Sequence, residues 1–172
     1  MPETIKDRID FLWNVHGYTN DYIRFADSKA AFVATAVTGL IAALVASHVF
    51  DALNRLPISA WPARSWLGFS ALLLLVVALV FAVVAIRPRL HSSVPKGLIY
   101  WKSVVRHGND TTFAAHIKTI TPSAVEVNLS RHVFELARIC SRKYFWANLS
   151  LLIGLAGGIE AGAAILLSHL NQ

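Results

Sequence analysis

Three long runs of apolar residues, set apart by charged stretches, dominate the pattern along this chain. The first, Ala30 to Phe50, has 21 residues without an Asp, Glu, Lys or Arg. As a helix rising about 1.5 Å per residue it covers roughly 31 Å, the thickness of a bilayer core. The second, Trp66 to Ile86, contains LLLLVVALVFAVVAI, opens on Trp66 and closes on Arg87-Pro88-Arg89, as interfacial anchors do. The third, Tyr144 to Leu167, starts with Tyr144-Phe145-Trp146 and runs through LLIGLAGGIEAGAAILL, interrupted by Glu160. A soluble domain spreads its apolar residues at helix or strand period, so runs of this length predict three transmembrane helices at 30–50, 66–86 and 144–167.

The polar pieces predict further helices. Residues 3–29 read as an amphipathic helix in two parts, with Ile5, Ile9, Leu12 and His16 on one face, a break at Gly17, then Tyr22, Phe25 and Ala26. Residues 1–29 carry a net charge of −1, which argues against attraction to anionic lipid and favours packing on the 87–143 segment. Within that segment, LIYWKSVV is a short aromatic and apolar stretch, and HGNDTT after it makes a turn. Ser123 and Glu126 have the spacing of a capping box, and Val125, Leu129, Val133, Leu136 and Cys140 follow at helical spacing. This helix is expected to continue into the third span, giving a rod from Ser123 to Leu167 roughly 67 Å long at 1.5 Å per residue.

Composition narrows the class. Of 172 residues, 55% are hydrophobic and 15% charged, so too little polar chain remains to wrap three apolar rods or to build a nucleotide-binding α/β fold. The 29 residues before the first run are too long, and with five acids too acidic, for a cleaved signal peptide. Cys140 stands alone, which excludes an intramolecular disulfide framework. Lys and Arg number four in 1–29, two in the 51–65 loop, ten in 87–143 and none in 168–172. That alternation places the N-terminus and the 87–143 segment in the cytoplasm, with the loop and tail outside. The expected fold is therefore an all-α membrane protein, with an N-terminal amphipathic helix and a basic helical cytoplasmic segment between spans two and three.

Candidate chemistry is sparse. The seven histidines show no HxxxH or HExxH spacing and no GxSxG elbow exists, so neither a metal site nor an enzyme is expected. The 87–143 segment has a local net charge of +7, yet its aromatics are not interleaved with base-reading residues, and no nucleic-acid partner is expected. Gly154, Gly158 and Gly162 form two overlapping GxxxG steps, with Gly157 beside them. They predict close helix packing, against a second copy in preference to the same chain. Glu160 lies among them, an intramembrane carboxylate that serves either packing or function. Asp27 and Lys29 precede the first span, while Arg87, Arg89, Arg142 and Lys143 flank the other two. Where these ends converge, the charges make snorkelling anchors, an electrostatic latch or the rim of an anion site.

Several segments carry a family resemblance: FADSKAAFVATAVTGLIAALVAS at the first span, VVALVFAVVAIRPRL closing the second, GLIYWKSVVRHG between, and ELARICSRKYFWANLSLLIGL into the third. With Ala26-Asp27, Lys29-Ala30, Ile86-Arg87-Pro88 and Lys143-Tyr144 in that order, residues 15 to 168 resemble the Pycsar transmembrane effectors. The resemblance implies an antiphage effector of the bacterial inner membrane, paired with a pyrimidine cyclase that makes cyclic CMP or cyclic UMP on infection. The effector would answer that ligand, need no cofactor, impair the membrane and cause abortive infection; the glycine steps and apolar runs add a homo-oligomer in contact with lipid. The nucleotide would be held near Asp27, Lys29, Arg87, Arg89, Arg142 and Lys143, although the sequence shows no recognised cyclic-nucleotide-binding barrel. From a different class, a small membrane scaffold or transport accessory that docks a partner protein remains the alternative.

Overall fold

The structure is a computed structural model that describes residues 4–51, 57–87 and 98–170. Among these residues it is all-helical: α1 (Ile5–Ala46), α2 (Ala63–Ile86), α3 (Trp101–Val105), α4 (Asp110–Lys118) and α5 (Pro122–Leu170), with single 3-10 turns at His48–Phe50 and Ile58–Ala60. Helices α1, α2 and α5 are each long and apolar enough to cross a membrane. The chain divides into two units, Met1–Arg24 with Pro88–Ser141, and Phe25–Arg87 with Arg142–Gln172.

Capping chemistry sets where the helices begin. Thr4 and Asp7 satisfy each other at the start of α1, the Thr4 amide donating to Asp7 Oδ2 at 3.1 Å and the Asp7 amide to Thr4 Oγ1 at 3.2 Å. Gly108 has φ +86°, a left-handed turn suited to glycine, and Asn109 then caps α4 by accepting from the Thr112 amide at 2.8 Å. At α5 the cap is Thr121, which accepts from the Ala124 amide at 3.3 Å, and Pro122 opens the helix where its missing N–H costs nothing. The predicted Ser123–Glu126 box does not form: Thr121 takes the cap, Ser123 lies inside α5, and the Glu126 carboxylate accepts from Arg8.

Two expectations about the long helices have different outcomes. The continuous rod holds, since α5 runs 49 residues from Pro122 to Leu170. The break at Gly17 does not: α1 passes through it unbroken over 42 residues. A glycine in a helix interior costs only about 1 kcal/mol, less than the packing on both sides supplies.

In the unit of Met1–Arg24 with Pro88–Ser141, the start of α1 packs on the start of α5 as its charge suggested. Arg8 Nε donates to Glu126 Oε1 at 2.7 Å and Arg8 Nη2 to Oε2 at 3.2 Å, a fork on a carboxylate. Two turns on, the rings of His16 and His132 stack with centroids 5.3 Å apart, and Trp13 meets His16 edge-on at 5.2 Å.

The other unit is built with its small residues inside and its bulky apolar residues outside. Along α2 the buried positions are Ser65, Gly68, Ala71, Leu75, Ala78, Ala82 and Ala85, at spacings of three and four. The opposite face exposes Trp66, Phe69, Leu73, Val76, Val80 and Val83. Water would penalise that outer face, whereas lipid solvates it at no cost and helix backbones close up over alanine and glycine. Val33, Val37 and Leu44 of α1 and Ala161 and Ala164 of α5 complete this core. Polar glue is sparse and internal: Ser150 Oγ donates to the Ala78 carbonyl at 2.7 Å, and Ser65 Oγ to the Val49 carbonyl at 3.0 Å.

Candidate functional site

A charged node crosses the three apolar helices where α1 and α5 turn from polar to apolar sequence and α2 ends. Its floor is made of alanines: Ala30, Ala85 and Ala147, one from each helix, are buried against one another with Trp146 packed on them. Small side chains there bring the three backbones close enough for one long side chain to reach two partners. Lys143 is that side chain. Its ammonium forms an ion pair with Asp27 of α1 and donates to the Ala85 carbonyl of α2 at 3.0 Å. Lys143 is 5% exposed, so an unpaired charge at this position would be costly, and a carboxylate together with a carbonyl satisfies it.

Lys29 is half-buried and is engaged farther along α5, with Nζ donating to Asn148 Oδ1 at 2.7 Å. Arg142 and Arg87 lie exposed. Arg87 caps α2, its amide donating to the Val83 carbonyl at 3.0 Å. Arg89 falls outside the described residues. Of the six charges that the sequence nominated, Asp27 and Lys143 thus form a latch, Lys29 braces α1 on α5, and Arg87 and Arg142 remain as accessible cations. Asn148 and the Ala85 carbonyl belong to the node and escaped sequence reasoning. An asparagine in an apolar span was the available signal for the first; a backbone carbonyl leaves none.

The glycine lane is used inside the chain. A Cβ on Gly154 would meet Val37 Cγ2 at 3.2 Å, one on Gly157 would meet Leu74 Cβ at 3.0 Å, and one on Gly158 would meet Leu40 Cδ1 at 3.2 Å. At these three positions the glycines therefore pack on α1 and α2 of the same chain. Gly162 alone faces open space within 4 Å. Beside it, Glu160 Oε2 accepts from Ser70 Oγ of α2 at 2.6 Å.

Titration behaviour is most distinctive in the polar unit. Burial, with the neighbouring His16 charge, pushes the His132 imidazole below its ordinary pKa. The hydrogen bond from Arg8 holds the Glu126 carboxyl below the usual range. Burial pushes the Cys140 thiol up, which disfavours the reactive thiolate. Among the described residues no group of three or more His, Cys, Asp or Glu comes together to hold a metal ion.

Comparison with known proteins adds what the geometry does not name. A family profile described as the Pycsar effector protein domain, PycTM, matches residues 11–169. The Pycsar effector protein SaPycTM of Staphylococcus aureus is 26% identical over 127 residues, which cover 74% of this chain and 75% of that protein. No solved structure matches. Since the match takes in nearly the whole of α1 and α5 and all of α2, the chain belongs to the Pycsar effector family of antiphage proteins with transmembrane helices.

Proposed function

We propose that this chain is the membrane-impairing arm of an antiphage pair. A partner pyrimidine cyclase makes cyclic CMP or cyclic UMP on infection; this effector binds it and disrupts the bacterial inner membrane, so the cell stops before phage matures. It acts as an effector and not as an enzyme. The N-terminus and the 87–143 segment are cytoplasmic, as the concentration of ten Lys and Arg in that segment favours.

The observation that carries this reading is continuity. Helices α1 and α5 each run without interruption from polar into apolar sequence, α1 over 42 residues and α5 over 49. The accessible Arg87 and Arg142 supply planar donors for the cyclic phosphate, and the Asp27–Lys143 latch beside them is the element that a ligand anion biases by competing for Lys143. Ligand binding shifts the spans only if the latched and unlatched states differ in affinity. Copies then assemble in the membrane as a homo-oligomer.

Equilibrium binding to the purified full chain in detergent tests the ligand. Saturable binding of cyclic CMP or cyclic UMP, with cyclic AMP much weaker, is expected; equal binding of all three, or of none, contradicts the reading.

A further inference from the structure

Across the apolar stretches 30–46, 66–86 and 144–167, Glu160 is the one Asp, Glu, Lys, Arg or His. It is half-buried on α5, and its Oε2 is 2.6 Å from the Ser70 hydroxyl of α2. That hydroxyl also lies 3.1 Å from the Leu67 carbonyl, and its single proton can serve only one of the two acceptors at a time. Among the described residues no hydrogen bond reaches Oε1 of Glu160. A carboxylate at this depth with one shared neutral donor is poorly compensated, and facing hydrocarbon costs several kcal/mol. As an anion it is compensated fully only where water or a cation meets it. Carboxylate and hydroxyl oxygens are hard ligands of the kind that alkali cations accept, and rings of such carboxylates favour cations in membrane pores.

We propose that Glu160, oriented by Ser70, lines the conducting route that the activated effector opens and makes that route select monovalent cations over anions. The proposal rests on the membrane-impairing reading above. In an assembly each copy contributes one Glu160, so the carboxylates form a ring at one depth.

The test uses the full chain in planar bilayers under a KCl gradient, with cyclic CMP or cyclic UMP added and the reversal potential read. The wild type is expected to pass K⁺ over Cl⁻ by about tenfold, the scale of one fixed charge acting at close range. E160Q still accepts the Ser70 hydrogen bond through its amide oxygen but lacks the charge, so its ratio should fall toward one; E160D should restore selectivity. A wild type that conducts without selectivity, or an E160Q ratio equal to the wild type's, overturns the proposal while leaving the membrane-impairing reading intact. A wild type that binds nucleotide yet never conducts overturns both.

Discussion

Lys143 of α5 pairs with the Asp27 carboxylate of α1 and donates at 3.0 Å to the Ala85 carbonyl of α2, so a single ammonium ties three apolar helices together. The carboxylate is about one-third exposed whereas the ammonium is buried, so solvent screens one end of the pair and not the other. Replacing Lys143 with Met is expected to destabilise the apolar helices by about 2 kcal/mol, allowing for that screening. The charge-reversed double variant D27K/K143D restores an ion pair but leaves the Ala85 carbonyl without its donor. It should therefore recover only part of the thermal stability of the detergent-solubilised protein. Full recovery would show that the carbonyl contact contributes nothing.

The polar unit should lose stability in acid over two separate pH ranges. The imidazole of His132 is held below its ordinary pKa of 6.5, so the unfolded chain takes up that proton first. Its contribution is complete above about pH 6.5 and is lost as pH falls toward the folded value. Glu126 behaves with the same sign at lower pH: its carboxyl is held below the ordinary 4.5 by Arg8, and that stabilisation is lost as pH falls through its folded value. Replacing His132 with Phe keeps an aromatic partner for His16 and should remove only the upper range in a pH series of thermal melts. An unchanged pH profile would exclude the His16–His132 stack as its source.

The glycines separate into those that the packing requires and those it does not. A Cβ on Gly68 would lie 2.2 Å from Val49 Cγ1, so Gly68→Ala forces the turn after α1 to shift and should destabilise by about 1–3 kcal/mol. Gly17 and Gly162 have nothing within 4 Å, and alanine at either should be neutral or stabilise by up to about 1 kcal/mol through helix propensity. Thermal melts of the three variants check the order.

This contrast also shows what the sequence made legible. Three long apolar helices, the helical continuity of α5 and the convergence of Asp27 with Lys143 follow from run length, period and charge placement, which act locally or along one helix. Whether Gly154 and Gly158 serve the same chain or a second copy does not, because GxxxG states only that a backbone can approach, and Val37, Ala78 and Leu40 are brought there by tertiary packing. The displaced capping box has a partly local origin, since Thr121-Pro122 already marks the start of α5. Ser123 and Glu126 have suitable spacing, but Arg8 lies 118 residues from Glu126 in sequence and no local pattern reveals its pull.

Arg87 and Arg142 are exposed, so their loss should spare folding and weaken the nucleotide response. Neutralising either to Gln removes one charged donor to phosphate, worth about 1.5–3 kcal/mol, and should raise the nucleotide concentration for half-maximal effect by about tenfold or more. Dose-response curves in cells making the cyclic nucleotide measure this. Unchanged curves for both variants would reassign these arginines as anchors of the helix ends.

On the proposed function, one polypeptide both senses a cyclic pyrimidine nucleotide and breaches a membrane. Solute release from proteoliposomes containing only the purified chain, with cyclic CMP, cyclic UMP, cyclic AMP or no ligand compared side by side, tests it most directly. Rapid release is expected with a pyrimidine nucleotide and none with cyclic AMP or buffer. Insertion confirmed by protease protection, with no release under any of the four conditions, would contradict it.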